Sequence, residues 1–185
     1  MAAIKNKIIL GIDPGTNVMG YGLITIKNRD AELLNCGVVK MQPKTDHMER
    51  LARIFNRCIY LIDQFKPDVL SIEAPFYGKN VQSMLKLGRA QGMAMAAAIS
   101  RSVPVFEYSP RKIKMAITGN GNASKEQVAG MVKAMLSLQS EPSFHDATDG
   151  LAVALCHHFQ FKIEGENTGA KSWKAFLSAN PDRLG

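Results

Sequence analysis

Four acidic residues stand where a carboxylate is costly. Asp13 closes the apolar run Lys7-Ile-Ile-Leu-Gly-Ile-Asp13, and Pro14-Gly15 follows it. Glu73 closes a second run, Val69-Leu-Ser-Ile-Glu73, shortly before Pro75. Asp146 and Asp149 are three residues apart in a stretch whose spacing predicts a helix, so they share a face. Two of the four have ordinary explanations. Asp13 could fold back on its own backbone to make the turn. Asp146 could complete a capping box with Ser143 at the helix start. Asp149 has no comparable role. It lies on the row continued by Val153, Cys156 and His157, where an unpaired carboxylate costs several kcal/mol.

If the two apolar runs are neighbouring strands, Asp13 and Glu73 leave the sheet at one edge. A helix crossing that edge would bring Asp146 and Asp149 to them. Carboxylates gathered in this way repel one another and raise their pKa values. A divalent cation removes the conflict, and an all-oxygen donor set favours Mg²⁺ or Mn²⁺ over zinc. A pair of such ions could activate a water and stabilise the leaving oxygen in phosphodiester hydrolysis. His145, about 100° round the helix from Asp146, is either a further ligand or proton carrier, or an ordinary half-exposed histidine. His157 and His158 read as packing residues, and His47 as a surface residue.

The elements that must position these acids follow from periodicity. A buried strand at 7–13 is followed by strands at 21–26 and 31–41, joined by a turn at Asn28-Arg29-Asp30, which suggests an antiparallel meander. Asp46, with Glu49 three residues on, predicts a capping box. Leu51, Ile54, Phe55, Cys58, Ile59 and Ile62 mark the buried face of the helix that follows. After a fourth strand at 69–73, a helix over 80–100 carries the stripe Val81, Met84, Leu85, Gly88, Gly92, Met95, Ala96 and Ile99. Its two interior glycines cost about 1 kcal/mol each against alanine, which implies a close backbone approach by this chain's sheet or by a second copy's helix. Val103–Tyr108 predicts a fifth strand, and Pro104 suits an edge. Ser109-Pro110 opens a short helix, Ser124 with Gln127 caps another over 124–138, and the last long helix spans 144–161. The expectation is an α/β fold with a five-stranded mixed sheet, its first three strands antiparallel, flanked by helices. One domain should occupy 1–162. A tail over 163–185 follows, in which Ser172–Leu177 could form a short docked amphipathic helix.

Composition bounds the class. The chain has 185 residues, 46% of them hydrophobic, enough for one real core. No run approaches the roughly 18 apolar residues of a membrane helix, and the N-terminus lacks an apolar signal core. Three scattered cysteines make neither a disulfide framework nor a zinc site, so a reduced cytoplasmic setting without membrane attachment is expected. A net charge of +7 suggests a polyanionic partner, most plausibly nucleic acid.

Taken together these segments resemble the RuvC family of Holliday-junction resolvases. The resemblance rests on Ile8-Ile-Leu-Gly-Ile-Asp-Pro-Gly-Thr16 with Gly20-Tyr-Gly22, on Ile72-Glu-Ala-Pro-Phe76 with Lys79-Asn80 and Leu85-Lys-Leu-Gly-Arg-Ala-Gln-Gly92, on Tyr108-Ser-Pro-Arg-Lys-Ile-Lys114 with Gly119–Gly121 and Lys125, and on Asp146-Ala-Thr-Asp-Gly-Leu-Ala-Val-Ala154. Each motif is weak alone, but in this order and spacing they are highly specific, and they run from about residue 7 to 161. The resemblance implies an RNase H-like fold and a homodimer. It implies Mg²⁺-dependent cleavage of four-way DNA junctions in recombination and repair, alongside a RuvA–RuvB branch-migration complex. It places the acidic metal ligands and catalytic residues on Asp13, Glu73, Asp146 and Asp149. Some members have a histidine at the third position; here that position keeps Asp146, with His145 just before it. The base-stacking aromatic falls on Phe76, with Tyr77 beside it, and the DNA-contacting lysines fall on Lys114 and Lys125. Lys79, Arg111 and Lys112 join them as residues that could neutralise phosphates. A C2 dimer with one site per subunit suits two opposed nicks in a nearly two-fold junction.

Two other readings use the same residues. An actin-like phosphotransferase also begins with a strand ending in Asp-x-Gly-Thr, but the chain is short for two such domains and lacks a second glycine-rich phosphate loop. A non-catalytic nucleic-acid binder, or a related nuclease acting on RNA, would share the fold. Retention of all four acids argues against a binder without catalysis.

Overall fold

The computed structural model describes residues 7–42, 44–75, 80–138 and 145–166, with side chains of the last span described from Ala147 to Gln160. Phe76, Tyr77, Lys79, Ser143 and the expected tail helix at Ser172–Leu177 lie outside the described residues.

β1 (Lys7–Asp13), β2 (Val18–Lys27) and β3 (Asp30–Lys40) form the expected antiparallel meander. The β2–β3 turn is tighter than expected. Asn28 and Arg29 both have positive φ, 47° and 77°, so two residues make the hairpin and Asp30 already belongs to β3. β4 (Val69–Glu73) runs parallel to β1, and β5 (Val105–Tyr108) parallel to β4. The sheet order is β3-β2-β1-β4-β5, which puts β5 and its preceding Pro104 at an edge.

Helices cover both faces. α1 (His47–Phe65) and α2 (Val81–Ile99) pack on one side. α3 (Pro110–Thr118), α4 (Lys125–Met135) and α5 (His145–Glu166) pack on the other. Strand alternation divides the core accordingly: Leu10, Ile12, Leu70 and Ile72 face α1 and α2, while Ile9 and Val69 face α5. Ser124 and Gln127 form the expected capping box on α4. Asp46 caps α1 by accepting from the Met48 amide, but Glu49 does not complete a box. It pairs instead with Arg53 one turn on, at 2.7 Å.

Of the two approaches expected at the glycines of α2, that by this chain's own sheet does not occur. Ala90, Gln91, Ala94, Ala97 and Ala98 pack against the sheet, whereas Val81, Leu85 and Ile99 are 64%, 52% and 67% exposed. A Cβ added at Gly88 or Gly92 would meet nothing within 4 Å. Small residues fill the side of α2 that packs closely with α1, and the larger apolar residues are left on the outer face.

The glycines that matter most for closeness are elsewhere. Gly22, Gly11 and Ser71 are register partners across β2, β1 and β4, and they form a row of small residues on the α5 side. α5 settles onto this row. A Cβ on Gly11 would lie 2.2 Å from the Gly150 carbonyl oxygen, one on Gly22 would lie 2.5 Å from the Leu151 nitrogen, and one on Gly150 would lie 2.6 Å from the Tyr21 backbone. The Ser71 hydroxyl fills its place in the row by donating to the carbonyls of Leu10 and Val153.

Candidate active site

The row of small residues also aims the acids. Side chains two apart on a strand share a face, so Asp13 follows Gly11 and Glu73 follows Ser71 on the α5 side, one register step past the row. Asp149 immediately precedes Gly150, the point where α5 touches the sheet. Asp13, Glu73 and Asp149 all line one cavity of about 190 Å³. Pro110 and Ile113 of α3, Val128 of α4 and Ala152 of α5 supply its apolar wall, and Lys114 and Lys125 enter it from α3 and α4.

The electrostatics follow from this placement. Glu73 is pushed up to about 8, first by burial, then by the charges of Asp13 and Asp149, with Lys125 and Lys114 pulling the other way. The mutual repulsion expected from the sequence thus adds to burial at Glu73. Asp149 is 19% exposed and accepts from the Lys125 ammonium at 2.9 Å, so the carboxylate with no ordinary explanation has a cationic partner.

The donor set is oxygen-only and anionic, which suits Mg²⁺ or Mn²⁺. Among the described residues no three His, Cys, Asp or Glu side chains are grouped tightly enough to hold an ion. Asp146 and His145 lie at the first turn of α5, on the backbone one turn before Asp149, and their side chains lie outside the description.

The basic residues divide. Lys114 and Lys125 face the acids. Arg111 lies against Gly121, where an added Cβ would come 2.7 Å from its Cγ. Lys112 sits over the Tyr108 ring, 5.1 Å from its centroid. Neither lines the cavity. His157 is buried, as expected of a packing residue. Its Nδ1 is 2.8 Å from the Tyr108 hydroxyl, and burial first, with the Lys7 charge second, lowers its pKa to about 4. His47 departs from the surface reading: as the first residue of α1 it is half-buried in the wall of a second pocket.

Two supports of the site escaped sequence reasoning. One is the row of small residues, signalled by glycines inside two apolar strands. The other is Gln91, buried on α2, whose amide donates to Glu107 Oε2 at 2.8 Å and reaches the Glu73 carbonyl at 3.5 Å. A lone glutamine in an alanine-rich helix carries little signal of its own.

The family described as crossover junction endodeoxyribonuclease RuvC matches residues 9–157. A crossover junction endodeoxyribonuclease RuvC of Cytophaga hutchinsonii is 55% identical over 97% of this chain and 88% of its own length. This chain belongs to the RuvC family. The RuvC of Porphyromonas gingivalis is 53% identical over 97% of this chain and 98% of its own. The RuvC of Thermus thermophilus, solved in complex with a Holliday junction substrate, superposes with a TM-score of 0.79 at 34% identity, over 85% of this chain and 96% of that one. The sheet order and helix placement above are those of an RNase H-like fold, as RuvC has. Among the described residues no helix is long and apolar enough to cross a membrane.

Proposed function

We propose that this RuvC chain is a structure-specific endonuclease that resolves four-way DNA junctions by Mg²⁺-dependent phosphodiester hydrolysis, in recombination and repair. The observation that carries the reading is the meeting of Asp13, Glu73 and Asp149 in one cavity with Lys114 and Lys125. Asp13, Glu73 and Asp149, with Asp146, are the ligands of Mg²⁺, two ions per subunit, and Mn²⁺ is able to substitute. When bound, the metal supplies an activated water and stabilises the leaving oxygen.

The chain's own residues do the rest. Asp13 and Glu73 hold fixed positions because they continue paired strands. Glu73 gives up its proton as the site fills with positive charge, since its pKa is raised by burial and by the neighbouring acids. Lys114 and Lys125 neutralise the phosphate that enters the cavity, and Lys125 exchanges its bond to Asp149 for one to that phosphate. The wall of Pro110, Ile113, Val128 and Ala152 reduces solvent screening at the buried carboxylates, so their charges act more strongly. Phe76 and Tyr77 are assigned to stacking on bases at the junction, an interaction worth roughly 1–3 kcal/mol per base.

The homodimer belongs to the same proposal. The outer face of α2, with Val81, Leu85, Gly88 and Ile99 open, is its interface, and it lets a second helix approach closely at Gly88 and Gly92. The substrate assignment is supported by the Thermus thermophilus RuvC solved with a Holliday junction, and a RuvA–RuvB complex is the expected partner in the cell.

The test is incubation with a synthetic four-way junction, with and without Mg²⁺, against linear duplex and RNA–DNA hybrid controls. Paired nicks in the junction alone, and only with the metal, are expected. Preferential cleavage of the hybrid would move the chain to an RNA-directed nuclease.

A further inference from the structure

A second cavity adjoins the acids on the side away from α3 and α4. Asp13, Pro14, Glu73, Ala74, Pro75 and Leu87 line it. Leu87 also lines a larger polar pocket of about 470 Å³ between the first turns of α1 and α2. The two share that wall, so this pocket is the neighbour of the one that holds the catalytic carboxylates.

Its chemistry is that of an anion site. His47, Arg50 and Lys86 contribute basic groups, Thr16, Thr45 and Ser83 contribute hydroxyls, and no carboxylate lines it. The first turns of α1 and α2 border it; the α1 end is already compensated by Asp46 and Glu49, while α2, capped by the neutral Asn80, adds one positive helix-dipole end. His47 Nε2 is buried and has no hydrogen-bond partner among the described residues.

The walls are held in place. Arg50 bonds the Thr45 carbonyl at 2.9 Å, the Thr16 carbonyl at 3.2 Å, Asn17 Oδ1 at 2.7 Å and the Gln42 carbonyl at 3.2 Å. Its guanidinium thus ties the loop after Asp13 to the loop before α1. Arg50 contributes field and rigidity, while Lys86 and the hydroxyls retain donors for a ligand.

We infer that this pocket is a second phosphate subsite, which holds a backbone phosphate of the same DNA strand a few nucleotides from the bond being cut. Its ligand rests on the junction-nuclease reading; its location does not appear among the residues assigned there, which lie on α3, α4 and the loop after β4. Two points of attachment, the cleft and this pocket, would fix the direction of the strand through the site, which a single scissile phosphate cannot do.

The test is a double-mutant cycle on binding, run without divalent ions so that no cleavage intervenes. Wild type and Lys86→Ala are titrated with junctions carrying one neutral methylphosphonate linkage, moved stepwise along the strand on either side of the cleavage point. Lys27→Ala, on the distant β2–β3 hairpin, is the control. Lys86 is exposed, so its removal leaves the fold intact, and thermal melting checks this. The expected result is a severalfold loss of affinity for Lys86→Ala and a salt dependence shallower by about one unit of slope. At one linkage position the methylphosphonate should weaken wild type but not Lys86→Ala. Additive effects at every position, or an unchanged salt slope in Lys86→Ala beside a steep wild-type slope, would overturn the subsite alone. Absence of salt-dependent junction binding by wild type would overturn both it and the nuclease reading.

Discussion

Asp13 and Glu73 lie side by side because Ile12 and Ile72, the residues before them, are parallel register partners on β1 and β4. Burial and the Asp13 charge lift Glu73 to about 8 from an ordinary 4.5. In the metal-free protein this gives a defined pH dependence. The folded state keeps a proton on Glu73 that the unfolded state loses, so this group's contribution is fully present below about pH 4.5 and declines as pH rises to about 8. Glu73→Gln should therefore melt higher than wild type in EDTA at pH 8 and nearly equal to it at pH 4. Equal melting temperatures at both values would contradict the shift.

The same proton couples to the metal. Ligands bind Mg²⁺ deprotonated, so binding must displace the Glu73 proton below about pH 8. The apparent Mg²⁺ affinity should tighten by up to about tenfold per pH unit between pH 6 and 8 and level off above that. Calorimetric titration in buffers of different ionisation enthalpy would register the released proton. No proton release at pH 7 would remove Glu73 from the ligand set.

The contact of α5 with Gly11, Gly22 and Ser71 sets where Asp149 stands. Gly11→Ala places a Cβ 2.2 Å from the Gly150 carbonyl, against backbone that cannot yield without moving the helix. Overpacking of this kind costs about 1–3 kcal/mol, and α5 must lift off the sheet. Denaturant unfolding should show that loss, and cleavage should fall further than stability alone explains, because Asp149 moves with the helix. By contrast Gly130→Ala, inside α4 with nothing within 4 Å of the added Cβ, should raise stability by up to about 1 kcal/mol and leave cleavage unchanged.

Much of this was legible in the chain. Apolar runs ending at Asp13 and Glu73 announce strand-end acids, and the Ser124–Gln127 pair announces a helix start, because these signals are local. The turn at Asn28-Arg29 is shorter than the local pattern suggests, and the stripe on α2 faces outward, as a contact with a second copy requires. Two positive-φ residues shorten a hairpin without a glycine to mark it. On α2, alanines occupy the core-facing side because α1 packs closely along it, a tertiary contact that periodicity does not register. The row Gly22–Gly11–Ser71 depends on strand register, and the role of Gln91 and the half-burial of His47 depend on tertiary contacts, so single-segment patterns could not supply them.

The outer face of α2 makes its own prediction. Leu85 is 52% exposed beside Gly88, in a shallow apolar pocket with Val81 and Met84. Light scattering of the wild type should give twice the 20.3 kDa chain mass. Leu85→Asp should halve it without lowering the unfolding free energy of the isolated fold by more than about 0.5 kcal/mol, the range of surface changes. A monomeric wild type, or a dimer indifferent to Leu85→Asp, would place the interface elsewhere.

The most direct measurement separates binding from chemistry at the acids themselves. Asp13→Asn is compared with wild type for four-way junction affinity and for cleavage rate in Mg²⁺. Affinity should be retained within a few fold, and cleavage should fall by on the order of 10³-fold, equivalent to about 4 kcal/mol of lost transition-state stabilisation. Nicking by Asp13→Asn at the wild-type rate would contradict the assignment of this carboxylate cleft as the place where the phosphodiester is cut.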